Sequence, residues 1–120
     1  MKRIYPLFLF IIVALLSACS PHSASGVWKA TQDNEYGISK LVVAFDGRAE
    51  FVTPKLDNAN WHCFWSAKAE KTAELKCTPS TETDTEETFK LRINADGLAE
   101  LSHKSKLIAV LTRVDKNPVL

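Results

Sequence analysis

Residues 61–77 read WHCFWSAKAEKTAELKC. Trp61, Cys63, Trp65 and Ala67 alternate with His62, Phe64, Ser66 and Lys68, and Ala73, Leu75 and Cys77 alternate with Glu74 and Lys76 on the far side of Glu70-Lys71. A period of two is the pattern of a half-buried strand. Two such runs around a short polar break read as a β-hairpin. Treating Ala69-Glu70-Lys71 as a bulged three-residue loop, with its third residue left-handed, sets Ala67 opposite Ala73, Trp65 opposite Leu75 and Cys63 opposite Cys77. Directly opposed residues bring their Cβ atoms close to disulfide range. The loop rule suits glycine, so a left-handed Lys71 would carry strain.

The same plan recurs on both sides. FDGRAEF at 45–51, EKTAEL at 70–75 and ADGLAEL at 95–101 each place Ala-Glu before Phe or Leu. Gly47 and Gly97 fill the left-handed loop position without steric cost. In the first hairpin Ala44 then faces Arg48, Val43 faces Ala49, and Leu41 faces Phe51. In the third, Ile93 faces Ala99 and Leu91 faces Leu101, while Arg92 meets Glu100 on the polar face. A slip of one residue would scramble both faces.

A first strand near Val27–Thr31 and a last near Leu107–Val114 complete the set. The expectation is an all-β domain of about eight short antiparallel strands in a meander. Such a sheet removes its edges by closing into a small barrel or by folding into a two-layer sandwich. Residues 33–37 and 54–60 are turn-rich loops. No segment has a sustained helical period.

The amino terminus has a different character. Met1-Lys2-Arg3 is cationic, and Ile4 to Leu16 is nearly all apolar. That is the pattern of a secretory signal, and it is too short for a membrane-spanning helix of ~20 residues. Leu16-Ser17-Ala18-Cys19 follows, and this stretch resembles the lipobox of bacterial lipoproteins. The resemblance implies removal of residues 1–18 and acylation of Cys19 as the new first residue. It also implies an outer-membrane location, because Ser20 stands where the family's inner-membrane members commonly carry Asp. Acyl chains contribute ~0.8 kcal/mol per buried methylene, so several hold firmly. With Cys19 used for lipid, Cys63 and Cys77 remain as an even pair, and an oxidising periplasm permits their bridge.

Residues 19–25 then read as a lipidated start and polar tether, with His22 a solvated part of it. Residues 26–115 form the domain, and 116–120 a tail. Without Lys2 and Arg3 the chain carries 13 basic against 14 acidic side chains. That balance gives no basic stripe of the kind nucleic-acid binders show. A weaker resemblance links the two ends of the domain. Gly26-Val27-Trp28 opens the first strand and Thr112-Arg113 lies in the last. Lipocalin-like and fatty-acid-binding-like barrels pair a G-x-W tryptophan with an arginine of the final strand. By that resemblance Arg113 covers Trp28 and closes one barrel end, a cation–π arrangement.

Signals for catalysis are weak. There is no phosphate-binding glycine loop and no nucleophile elbow. His22, His62 and His103 fall in no metal-ligand spacing, and a bridged Cys63 has no thiolate to offer. The expectation is therefore a non-enzymatic protein without cofactor or metal.

Two stretches stand out as surfaces. Glu82, Asp84, Glu86 and Glu87 gather in one acidic connector, a solvated loop able to meet a basic partner. His62 and Phe64 occupy the face of their strand opposite Trp61, Cys63 and Trp65. An outward Phe64 near Thr72, Glu74 and Lys76 is the type of anchor that protein interfaces use; the alternative is a Phe64 covered by a loop or a second sheet. The function expected is a tethered module that binds a protein partner in the envelope, of the inhibitor, immunity or exclusion type. Alternatives are a carrier of a small apolar ligand and an accessory subunit of an envelope assembly.

Overall fold

The computed structural model describes residues 21–53, 60–79 and 84–119. The proposed lipidation residue Cys19, and Glu82 of the acidic connector, lie outside these. Eight strands follow one another: β1 Gly26–Ala30, β2 Lys40–Val43, β3 Arg48–Val52, β4 Asn60–Ala69, β5 Thr72–Pro79, β6 Glu87–Ile93, β7 Ala99–His103 and β8 Lys106–Asp115. Each pairs antiparallel with its neighbour, and β1 pairs with β8, so the sheet is a closed barrel. Closure leaves no sheet edge to template aggregation.

The registers follow the alternation. Val43 pairs Ala49 and Leu41 pairs Phe51. Cys63 pairs Cys77, Trp65 pairs Leu75 and Ala67 pairs Ala73. Leu91 pairs Leu101, Ile93 pairs Ala99, and Arg92 pairs Glu100 outside. Gly47 and Gly97 are left-handed, with φ of 89° and 80°. The middle hairpin differs in its tip. Ala69 pairs Thr72 across a register shift between Ala67 and Ala69. The extra residue is thus absorbed as a bulge in β4, and Lys71 has no positive φ. The strain that a left-handed lysine would bring is avoided by moving the irregularity into the strand.

Cys63 and Cys77 are bonded and buried in the barrel wall. The interior is occupied by side chains from all eight strands. Phe89 lies at the centre of an aromatic group. Its ring centroid is 5.1 Å from Phe51, 5.9 Å from Trp61 and 4.7 Å from His103. An eight-stranded barrel is about wide enough for side chains to fill.

The meander gives the barrel two unlike ends. The proximal end collects residues 22–25, the hairpin tips at 44–47, 70–71 and 94–98, and residues 116–119 after β8. Here Trp28 is fully buried and donates through Nε1 to the Ala24 carbonyl at 2.9 Å. The Arg113 guanidinium lies 4.6 Å over the Trp28 ring, and its Nη2 donates to the Ser23 carbonyl. Gly26 is required by this approach: a Cβ there would sit 2.8 Å from the Asp115 carbonyl and 3.2 Å from Arg113 Nε.

Residues 22–25 are not a solvated tether. His22 Nε2 is 2.7 Å from the Ala69 carbonyl, and Ser23 Oγ donates to the Glu70 carbonyl at 2.8 Å. The His22 ring lies 5.6 Å from Trp65, and Ala24 and Ser25 are buried. The correction has a simple cause. The barrel mouth exposes Trp28 and backbone donors and acceptors, and the preceding residues cover them.

Candidate functional site

The flank formed by β3, β4 and β5 carries the most exposed aromatic group of the barrel wall. Strand alternation sends Cys63 inward, so His62 and Phe64 point out. Phe64 is 72 % exposed. It is paired across the sheet with Arg48 on one side and Lys76 on the other. Next to it along β4, His62 Nδ1 stands 3.6 Å from Glu50 Oε2, and the His62 carbonyl accepts from Thr78 Oγ1 at 3.5 Å.

The β2–β3 tip closes against the same strand. The Trp65 backbone N–H donates to the Gly47 carbonyl at 2.8 Å, and Trp65 Nε1 donates to the Ala44 carbonyl at 2.8 Å. Trp65 is therefore only partly inward: it packs on the core and pins the tip. That tip presents Phe45, which is 57 % exposed. The Arg48 side chain donates to Asp46 at 2.8 Å and holds that carboxyl below the ordinary carboxylate range. The flank thus offers an exposed phenyl group between two cations, with a second phenyl group on the adjoining tip. An aromatic anchor with arginine nearby is the composition enriched at protein interfaces.

The acidic residues divide. Asp84 and Glu86 are exposed before β6. Glu87 departs from the expectation of a solvated partner residue: it opens β6 and accepts from His103 Nε2 at 2.8 Å. His103 is 8 % exposed, and its Nδ1 lies 2.5 Å from the Tyr36 hydroxyl. With Nε2–H donating to the carboxylate, the imidazole accepts at Nδ1 from the phenol. A carboxylate, an imidazole and a hydroxyl in series can in general activate the hydroxyl. In this barrel the three groups pack as the cover of the distal end. His103 stacks on Phe89 at 28° between planes, and Tyr36 meets Phe89 edge-on at 6.2 Å. The series satisfies polar groups that closure buries.

Sequence spacing passed over His103 as one of three scattered histidines. A signal was present nonetheless. Extending the third hairpin by one rung past Leu91–Leu101 pairs Phe89 with His103, as observed, and so puts a histidine inside the barrel. Tyr36 comes from a loop, where alternation gives no guide.

Among the described residues no cluster of His, Cys, Asp or Glu could hold a metal ion. Comparison of the chain with protein-family models, curated proteins and solved structures returns no match.

Proposed function

We propose that this protein is a lipid-anchored module of the bacterial outer membrane that binds a protein partner through the flank around Phe64. The observation that carries the reading is the exposed Phe64, held between Arg48 and Lys76 on a strand tied to β5 by a disulfide. Rigid strands present such a group with little ordering cost on binding. Anchorage raises the local concentration of the module at the membrane. The filled interior favours this role over that of a carrier of an apolar ligand, which needs a cavity of ~300 Å³ or more.

The parts have defined roles in this proposal. Cys19 carries the lipid. Phe64 is the anchor, and His62 borders it. Asp84, Glu86 and Glu82 steer a basic region of the partner, whereas Glu87 serves the fold. The test places photoreactive p-benzoylphenylalanine at position 64 of the full-length lipoprotein in intact cells, with Thr112 on the opposite flank as control. A discrete protein adduct from position 64 and none from position 112 is expected. No adduct at 64, or the same adduct from both positions, would overturn the assignment. The anchor is tested separately: Cys19→Ala should release folded protein from the membrane, and full retention of that variant would contradict the lipid assignment.

A further inference from the structure

The outer face of β4 to β7, with the β7–β8 turn, carries a groove of about 610 Å³ that the Phe64 flank does not use. That volume lies within the ~300–1,000 Å³ typical of small-molecule sites. Lys68, Lys90 and Lys104 line it, with the hydroxyls of Thr72, Thr88 and Ser102 between them. Register explains the placement. Glu74, Lys90 and Ser102 form one outward row across β5, β6 and β7. Glu74 is the only carboxylate of the groove, and it stands 4.0 Å from Lys68. Lys90 and Lys104 have no ion pair among the described residues. The groove therefore carries excess positive charge on a floor of hydroxyls.

A second, independent observation comes from the turn at its distal edge. Lys104 and Ser105 link β7 to β8 between the paired His103 and Lys106. Their φ values are 53° and 65°, and they are the only non-glycine residues with positive φ among those described. A two-residue hairpin loop of this kind is normally built from Asn-Gly or Asp-Gly. A lysine and a serine there each bear the steric penalty of the left-handed region. Both line the groove. Backbone strain and broken local rules concentrate where a side chain is needed for function.

We propose that this groove binds an acidic oligosaccharide. Its carboxylate or phosphate groups pair with Lys90 and Lys104, and its ring hydroxyls exchange hydrogen bonds with Thr88, Ser102 and Ser105. The exposed side chains of the groove are amines, hydroxyls and one carboxylate, which match a hydroxylated anion. They include no exposed aromatic anchor of the type a protein partner would engage. The groove adjoins the Phe64 flank but shares none of its residues, so either can fail without the other.

The test uses the full-length lipoprotein in detergent micelles and titration calorimetry. Tetragalacturonate supplies carboxylates, pentamannosyl phosphate supplies a phosphate, and maltotetraose is the neutral control. At least one acidic sugar should bind tenfold or more tighter than maltotetraose; whichever binds tighter identifies the acid group. Lys90→Ala and Lys104→Ala should each weaken it roughly fivefold, since each removes one charge-assisted contact. The double substitution Lys104→Asn/Ser105→Gly should raise the melting temperature by roughly 4 °C or more while binding falls, because turn strain is relieved and a ligand contact is lost. A purely structural turn would not move binding. The proposal is overturned if no acidic sugar exceeds maltotetraose, if a tetraglutamate peptide binds as tightly, or if the double substitution leaves affinity intact.

Discussion

Arg113 does three things with one side chain. It covers the Trp28 indole, bonds the Ser23 carbonyl, and so ties the last strand to the segment before β1. A desolvated cation–π contact is worth ~2 kcal/mol or more, and a hydrogen bond from a charged group ~1.5–3 kcal/mol. Arg113 Nε is buried without a partner, which offsets part of that sum. Arg113→Ala should therefore destabilise the barrel by about 2 kcal/mol in urea unfolding. Arg113→Lys should recover less than half, because an ammonium cannot cover the ring and reach the carbonyl as a planar fork does. Equal stability of the lysine variant and the parent would contradict this account. Gly26 tests the same contact from the other side. Gly26→Ala forces a Cβ against the Asp115 carbonyl at a φ of 138°, and nothing but backbone movement relieves it. Its cost should exceed the ~1 kcal/mol that an unstrained Gly→Ala change spans.

At the scale of strands and hairpins, the Cys63–Cys77 bridge is the strongest single constraint. It closes a loop with a sequence separation of 14, for which chain entropy predicts about 3 kcal/mol. The double variant Cys63→Ala/Cys77→Ala leaves no odd thiol and should unfold at lower urea. Reductant should lower the midpoint of the parent and leave the double variant unmoved; a parent insensitive to reductant would refute a stabilising bridge. The distal cover makes a smaller contribution. Tyr36→Phe removes the hydroxyl bonded to His103 and leaves Nδ1 without its partner, a loss of about 1–2 kcal/mol. These two features differ in how far the sequence shows them. The cysteine rung was legible because inward residues 61, 63 and 65 face 79, 77 and 75 across a short tip, so alternation and tip length together fix the pairing. The Tyr36–His103–Glu87 series draws on a loop and two separate strands, and no local period relates them. The bulge at Ala67–Ala69 was hidden for a similar reason: two tips of different geometry give the same inward register. His22 reads as linker in the sequence because its contacts, with Ala69 and Trp65, are created only by the folded barrel.

For the whole molecule, the position of the segment before β1 would decide how a lipid-anchored barrel stands at a membrane. His22 and Ser23 are clipped to the β4–β5 tip, at the proximal end. If Cys19 carries the lipid as proposed, only Ser20 and Pro21 span the gap, and an extended residue covers at most ~3.6 Å. The proximal end must then lie within roughly 10 Å of the acylated residue. Phe45 on the β2–β3 tip and Val119 beyond β8 are exposed at that end. The distal end, with Tyr36, His103 and the acidic residues Asp84 and Glu86, would then face away from the lipid. On the proposed anchor the barrel would stand upright on a short stem, with the Phe64 flank and the lysine groove both on its sides. A photoreactive group at Phe45 of the lipidated protein in phospholipid vesicles should cross-link to lipid. The same group at Lys106, beside the distal turn, should not. Equal lipid adducts from both positions would mean that the stem is long enough for the barrel to tumble, and the fixed orientation would be wrong even with the anchor in place.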